Sequence, residues 1–202
     1  MYNKKYRAEY GEMVICVDAI HTWRKDYYPQ YKAHRKKNRT VSELDWNEIF
    51  RVLNMVREEI KENLPYKVIH MEGCEADDII GALVYETQEF GKHQPCMIIS
   101  SDKDFKQLHK FKNVKQFSPA QKILVEEKHP RQYAFEHICR GDAGDGVPNV
   151  LSPDNCFTDG LKQTPLRKTV IDFWVDNLDN MPEEIKRNYQ RNKTLIDLSE
   201  IP

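Results

Sequence analysis

Tyr66-Lys67-Val68-Ile69-His70-Met71-Glu72-Gly73-Cys74-Glu75-Ala76-Asp77-Asp78-Ile79-Ile80-Gly81-Ala82-Leu83-Val84 reads as a strand, a turn and the start of a helix. The β-rich run from Tyr66 to Met71 closes before Gly73. A charged first turn of Glu75, Asp77 and Asp78 then leads an apolar stripe of Ile80, Leu83 and Val84, with Gly91 as the stop. Carboxylates suit that first turn because the helix dipole is positive there. Upstream, Met13 to Val17 is a similar apolar run ending in Asp18; downstream, Cys96 to Ser100 reaches Asp102, and Asn113 to Ser118 is a candidate fourth strand. Between the first two runs Trp46, Ile49, Leu53, Val56 and Ile60 recur at helical steps, with Ser42 as a plausible N-cap, so this face is expected to be core. Alternating strands and helices predict an α/β fold, with a mostly parallel central sheet flanked by helices. Past Pro119 the pattern weakens, and Gly141 to Gly160 reads as loops and short helices.

At 202 residues the chain is long enough to bury a substantial core. Its net charge of −1 lacks the basic surplus usual in nucleic-acid binders. The charge is nevertheless sorted. From Arg24 to Arg39 there are seven basic residues (Arg24, Lys25, Lys32, Arg35, Lys36, Lys37 and Arg39) against one acid, Asp26. Five widely spaced cysteines without a CxxC pair suggest neither a disulfide framework nor a zinc knuckle. They fit a reducing cytoplasm, that of a host cell if the protein is viral. No apolar run approaches the roughly 20 residues of a membrane helix, and the charged start has no apolar segment of a secretory signal behind it. No membrane partner is expected.

Asp18, the helix start Glu75, Asp77 and Asp78, and the pair Asp102 and Asp104 each follow a predicted strand. The carboxyl ends of parallel strands form the ligand crevice of open α/β sheets, so these groups are candidates to converge. Carboxylates crowded together repel and raise one another's pKa, which a divalent cation relieves. All-oxygen ligation favours Mg²⁺ or Mn²⁺, and the seven histidines show no HxH or HExxH spacing that would favour zinc. Each cluster also has a plainer reading. Asp77 and Asp78 are good dipole partners, Asp102 is a good N-cap for a short helix from Asp104 to His109, and Gly141-Asp142-Ala143-Gly144-Asp145-Gly146 is a good turn. Capping alone explains four such clusters in one small chain poorly.

The stretch from Trp23 to Arg39 interleaves cations with Tyr27, Tyr28 and Tyr31, the mixture expected of a groove that tracks a phosphate backbone and stacks bases. A solvated basic loop is the commoner meaning of such a run. Lys32 and Arg35 stand at i and i+3, so on a helix they point the same way and are placed to clamp one phosphate.

Taken in order, these pieces resemble the 5′ nuclease family: flap endonucleases, the 5′ nuclease domain of bacterial DNA polymerase I, and the T-even bacteriophage ribonuclease H branch. The matching residues are Val17-Asp18, Trp23 to Asp26 and Tyr31 to Arg35, then Glu75-Ala76-Asp77-Asp78 and Ser100 to Phe105 leading into Gln107-Leu108. Gly141-Asp142 through Pro148 follow, then Leu195 to Leu198. The resemblance implies a PIN-like 5′ nuclease fold, with a catalytic core over 1–128 that carries an arch-like basic segment at roughly 23–45, and an incomplete helical DNA-binding part over 129–202. It implies two Mg²⁺ ions, with Mn²⁺ able to substitute. Asp18, Glu75 and Asp77 would help hold one; Asp102, Asp104 and Asp145 would serve the second, with Asp142 near it. Arg24, Lys32 and Arg35 match catalytic basic positions beside the scissile phosphate, and Tyr31, Lys32, Arg35, Lys36, Lys37 and Arg39 belong to the nucleic-acid-binding stretch.

The family also implies an earlier Asp-bearing strand, a Gly-Ile-Gly hairpin after Val147 and further C-terminal helices past Pro202; this sequence is read as starting after that strand, lacking that hairpin and stopping before those helices. The implied activity is metal-dependent 5′–3′ exonuclease and flap endonuclease cleavage, removing RNA primers or 5′ flaps in DNA replication by two-metal phosphodiester hydrolysis. Branched or flap DNA and RNA–DNA hybrids would be its substrates. Single-stranded-DNA-binding protein and sliding clamp would be partners through regions outside this sequence. An inactive or split fragment that grips flap DNA without cutting is the competing reading.

Overall fold

The strands on either side of the first long helix pair with each other: β1 (Val14–Val17) runs parallel to β2 (Lys67–His70), with Val14 opposite Lys67 and Val17 opposite His70. β3 (Cys96–Ile99) runs parallel to β4 (Val114–Ser118), and β4 pairs antiparallel with a short β5 (Ile123–Val125) that the sequence reading did not include. The computed structural model describes residues 1–89, 91–175 and 177–202, and for 36–38 the backbone alone. Among the described residues β1–β2 and β3–β4–β5 are separate sheets. The expected central sheet is thus two small ones, one of them mixed. Apolar runs disclose that strands exist, whereas pairing is chosen by long-range contacts that a pattern of period two does not encode. The helix α5 (Ala76–Gln88) packs against both β1 and β3 and so ties the sheets together.

α1 (Tyr2–Tyr10) lays Tyr2 and Tyr6 on Phe117 of β4, with ring centroids 5.7 and 5.9 Å apart. Two short helices, α2 (Trp23–Tyr27) and α3 (Ala33–Thr40), carry the basic stretch. The long α4 (Trp46–Asn63) departs from expectation twice. Its N-cap is Asp45, whose Oδ1 accepts the Glu48 amide at 3.0 Å, and not Ser42. The face expected to be core is largely open, with Leu53 57% and Val56 44% exposed and no α4 residue buried. Helical periodicity reveals an apolar stripe but not whether a second layer lies against it.

The C-terminal third packs into the α/β part. α6 (Pro130–Arg140) and α8 (Glu183–Ile196) contribute Ile138, Leu195 and Ile196 to one cluster with Tyr28, Tyr31 and Val147. Leu198 joins Val84, Ile98, Phe105, Leu108 and Val114 in a second. A third forms around Ile171 and Trp174 of α7 (Lys168–Val175) with Cys139, Val150 and Met181. Packed side chains therefore cross the expected division between 128 and 129. Gln107 locks the seam, its amide donating to the Ile196 carbonyl at 3.1 Å and accepting from the Leu198 amide at 2.9 Å. No helix among the described residues is long and apolar enough to cross a membrane.

Candidate metal centre

Several of the strand-end acids accept backbone amides, and in doing so they are fixed in place. Asp18 Oδ1 accepts the Ala76 amide at 2.7 Å, which fastens the end of β1 to the start of α5. Glu75 is the N-cap of α5, and Asp78 reaches back to the Glu75 amide at 2.9 Å, completing a capping box. Asp102 Oδ1 accepts the Asp104 amide at 2.9 Å as the chain enters a 3-10 helix, Asp104–Lys110. The capping role and a convergent one are compatible, because a carboxylate that spends one oxygen on an amide still presents the other; the N-cap of the 3-10 helix is Lys103 and not the expected Asp102.

The remaining acids come from the loop after α6. Gly141 turns that corner at φ 68°, where a Cβ would sit 2.4 Å from the Val147 carbonyl and 2.5 Å from that of Pro148. Asp142 Oδ1 then accepts the Gly144 amide at 2.8 Å, and an isolated bridge joins Asp142 to Val147. From α8, the fully buried Asn192 donates to the carbonyls of Ile138 and Pro148 at 2.8 and 2.9 Å, and Arg191 donates to the latter at 3.0 Å. The loop carrying Asp142 and Asp145 is thus held from behind.

Glu75, Asp77, Asp104, Asp142 and Asp145 line one cleft, with Val147, Leu195 and Leu198 also in its wall. Burial, and then the charges of Asp102, Asp104, Asp18 and Glu75, push the Asp77 carboxyl up to about 7. Burial pushes Asp104 up to about 6 against the pull of His137, with Asp102 and Asp142 adding to the rise. Asp145 is also raised by burial, although Lys32 opposes it. The seven acids singled out in the sequence therefore belong to one electrostatically connected set. Asp104 Oδ1 is buried without a hydrogen-bond partner, since His137 Nδ1 at 3.5 Å is not placed to donate to it. An orphaned carboxylate oxygen in a crowd of carboxylates is a site that a divalent cation fits.

The basic residues divide. Lys32, in a left-handed conformation at φ 55°, places Nζ 2.6 Å from Glu75 and 3.7 Å from Asp145. Arg35 meets Asp145 at 2.6 Å. The expected i, i+3 pair does converge, here on Asp145. Lys32 and its neighbours hold Glu75 below the ordinary carboxylate range, although burial opposes them. Arg24, expected beside a phosphate, is instead 3% exposed: it lies 2.7 Å from Asp78 and 3.2 Å from Glu75 and donates to the Leu195 carbonyl. It lines the same cleft as the carboxylates and pairs with two of them. Tyr31, expected as a stacking platform, is also 3% exposed, and its hydroxyl donates toward Glu75 and Asp145 at 2.8 and 2.9 Å. A ring needed to close the core has no face left for a base. Arg39 is exposed and lies over the rings of Trp46 and Phe50. The side chains of Lys36 and Lys37 lie outside the described residues.

Two participants were not singled out in the sequence. His137 of α6, 8% exposed, lies between Asp104 and Asp142, with its Nε2 3.3 Å from Asp142 Oδ2, and Lys103 Nζ reaches that same oxygen at 2.8 Å. Burial notwithstanding, hydrogen bonds from His137 and Lys103 hold Asp142 well below the usual carboxylate range. Asp104, His137 and Asp142 offer three ligand atoms within 4.8 Å of one another. A lone histidine in an amphipathic helix carries no sequence signal; the only clue was its position one turn ahead of Gly141-Asp142.

Residues 1–135 match the family model described as the 5′–3′ exonuclease N-terminal resolvase-like domain. The chain is 36% identical over 208 residues to the ribonuclease H of Enterobacteria phage T4, covering 96% of this chain and 66% of that one. It is 31% identical over 165 residues to a 5′–3′ exonuclease of Streptomyces coelicolor, covering 73% of this chain and 52% of that one. It therefore spans less than two thirds of either relative. Among solved structures, a bacteriophage T5 protein co-crystallised with metal ions superposes with a TM-score of 0.72 at 19% identity, covering 98% of this chain and 79% of that one. A bacteriophage T5 flap endonuclease, in a pseudo-enzyme–product complex with DNA and metal ions, gives a TM-score of 0.68 at 18% identity, covering 98% and 77%. The fold is of the T5 exonuclease type.

Proposed function

The chain belongs to the 5′–3′ exonuclease family, a family of 5′ nuclease hydrolases, and we propose that it is a divalent-metal-dependent 5′–3′ exonuclease and flap endonuclease. It removes RNA primers or 5′ flaps during DNA replication. The observation that carries this reading is the cleft that Glu75, Asp77, Asp104, Asp142 and Asp145 line together, with Asp104 Oδ1 buried and without a hydrogen-bond partner. A protein keeps such a crowd where cations share the load.

Asp18, Glu75 and Asp77 would hold one ion; Asp102, Asp104 and Asp145 would hold the second, with Asp142 beside it. Mg²⁺ fits this oxygen-rich set, and Mn²⁺ substitutes. When bound, two such ions supply Lewis acidity to the phosphate and a water acidic enough to ionise near neutral pH. The chain's own cations do the rest. Lys32 and Arg35, already at the mouth of the acidic cleft, offset charge that develops on the phosphate. Arg24 and Tyr31 keep Glu75 aimed into the cleft. Specificity comes from ends and branches in flap DNA or RNA–DNA hybrids. The setting is cytoplasmic, with single-stranded-DNA-binding protein and sliding clamp as partners.

The test is cleavage of a 5′-labelled flap duplex by the purified chain in Mg²⁺, alongside Asp102→Asn combined with Asp104→Asn. Metal-dependent release of short 5′ products, lost in the double variant while DNA binding persists, is the expected result. Unchanged turnover in the double variant would remove these carboxylates from the site. Tight binding without any cutting would favour a fragment that grips flap DNA.

A further inference from the structure

The acids of the cleft account for an oxygen-ligated centre, but they leave a buried imidazole unexplained. His137 presents a different ring nitrogen to each of two carboxylates: Nε2 lies 3.3 Å from Asp142 Oδ2 and Nδ1 lies 3.5 Å from Asp104 Oδ1. The two contacts are not equivalent. Nε2 is in hydrogen-bond range of an oxygen already shared with Lys103, whereas Asp104 Oδ1 is buried and has no hydrogen-bond partner. The tautomer with its proton on Nε2 satisfies the Asp142 side. It leaves the Nδ1 lone pair facing an orphaned carboxylate oxygen, a contact that a metal ion or a proton between them relieves. Two donors on one ion at about 2.1 Å, spread at a tetrahedral angle, stand roughly 3.4 Å apart, close to the separation seen. A carboxylate that orients a metal-ligating imidazole through the other ring nitrogen is the usual support for such a ligand.

We propose that His137 is a direct nitrogen ligand, through Nδ1, to a divalent ion that it shares with Asp104, with Asp142 orienting the ring. This rests on the metal-dependent reading above and adds a selectivity to it. A position with one imidazole among its donors favours first-row transition ions over Mg²⁺, which takes oxygen and holds its water. The chain thus has two unlike ion positions, an all-carboxylate one at Asp18, Glu75 and Asp77 and a mixed one at Asp104 and His137.

The first measurement is pulsed electron paramagnetic resonance on the 202-residue chain loaded with Mn²⁺, in which a directly bound imidazole nitrogen produces ¹⁴N modulation. The second is calorimetric titration with Co²⁺ and with Mg²⁺ of the unmodified chain and of His137→Gln. The expected result is ¹⁴N modulation in the unmodified chain, with His137→Gln losing at least about tenfold in Co²⁺ affinity and several-fold less in Mg²⁺ affinity. Mn²⁺ that binds without ¹⁴N modulation overturns the assignment whatever the variant does. Equal losses for Co²⁺ and Mg²⁺ also overturn it, because they describe an imidazolium that merely braces two carboxylates. A chain that binds no divalent ion at all overturns the metal-dependent reading together with this one, whereas Mg²⁺-supported flap cleavage without a nitrogen ligand leaves that reading standing.

Discussion

Replacing Asp77 by Asn should stabilise the metal-free protein, and increasingly so as the pH rises. In the folded chain its carboxyl titrates at about 7, against the ordinary 3.8. The folded state therefore holds a proton that the unfolded chain gives up earlier. With a raised carboxylate the stability is present at acid pH and is lost as pH climbs from about 4 to about 7, levelling above that. Most of the interval from pH 5 to pH 8 lies on this slope of about 1.36 kcal/mol per pH unit. The loss due to Asp77 is then about 2 to 3 kcal/mol, or about 5 to 10 °C in Tm for a chain of this size. Asp104, raised to about 6, contributes a slope of the same sign.

The assay is thermal denaturation in EDTA at pH 5 and pH 8, comparing the unmodified chain with Asp77→Asn. The unmodified protein should lose the extra stability between the two pH values, and the variant should lose that much less. Adding Mg²⁺ at pH 8 should then raise the Tm of the unmodified chain more than that of the variant, because ligand binding to the folded state alone restores what carboxylate repulsion removed. Parallel pH dependences in the two proteins would refute the claim that Asp77 carries the burden of the cluster.

Lys32→Ala should weaken flap-DNA binding and make its log–log salt dependence shallower by about 0.9, the share of one phosphate; a fluorescence-anisotropy series in KCl reads this, and an unaltered slope would exclude the contact. Gly141→Ala forces a Cβ within 2.5 Å of two backbone carbonyls at a positive φ, so a loss of about 3 kcal/mol in urea unfolding is expected. A variant as stable as the parent would mean that the loop after α6 is free to rearrange. Asn192→Ala leaves the carbonyls of Ile138 and Pro148 without one buried donor and should cost about 2 kcal/mol in the same experiment.

The acids were legible in the sequence because strand, turn and acidic helix start is a local pattern. Glu75, Asp77 and Asp78 declare a helix N-terminus within four residues, and Asp18 and Asp102 close apolar runs. The basic pair Lys32 and Arg35 was legible for the same reason, since three residues of spacing places both on one side of a turn. The burial of Arg24 and Tyr31 was not. Both sit in a stretch that reads as an exposed basic loop, and they become core only because α8 returns 171 residues later to place the Leu195 carbonyl against Arg24. α4 failed in the opposite direction, with an apolar stripe that the sequence assigns to a core and that the fold leaves open at Leu53 and Val56. His137 offered only its position one turn ahead of Gly141-Asp142.

By itself, then, the sequence disclosed that strands and helices alternate near Met13 to Val17, Tyr66 to Met71 and Cys96 to Ser100, and that carboxylates stand at several of their ends. Those are effects of neighbours within a turn or two, such as dipoles, caps and periodicity. Only the tertiary structure decided that Glu75, Asp77, Asp104 and Asp145 share one cleft, that two small sheets replace one among the described residues, and that a histidine from α6 stands between Asp104 and Asp142. Charge repulsion, desolvation and packing depend on distances through space, and residues far apart along the chain acquire those distances only when it folds.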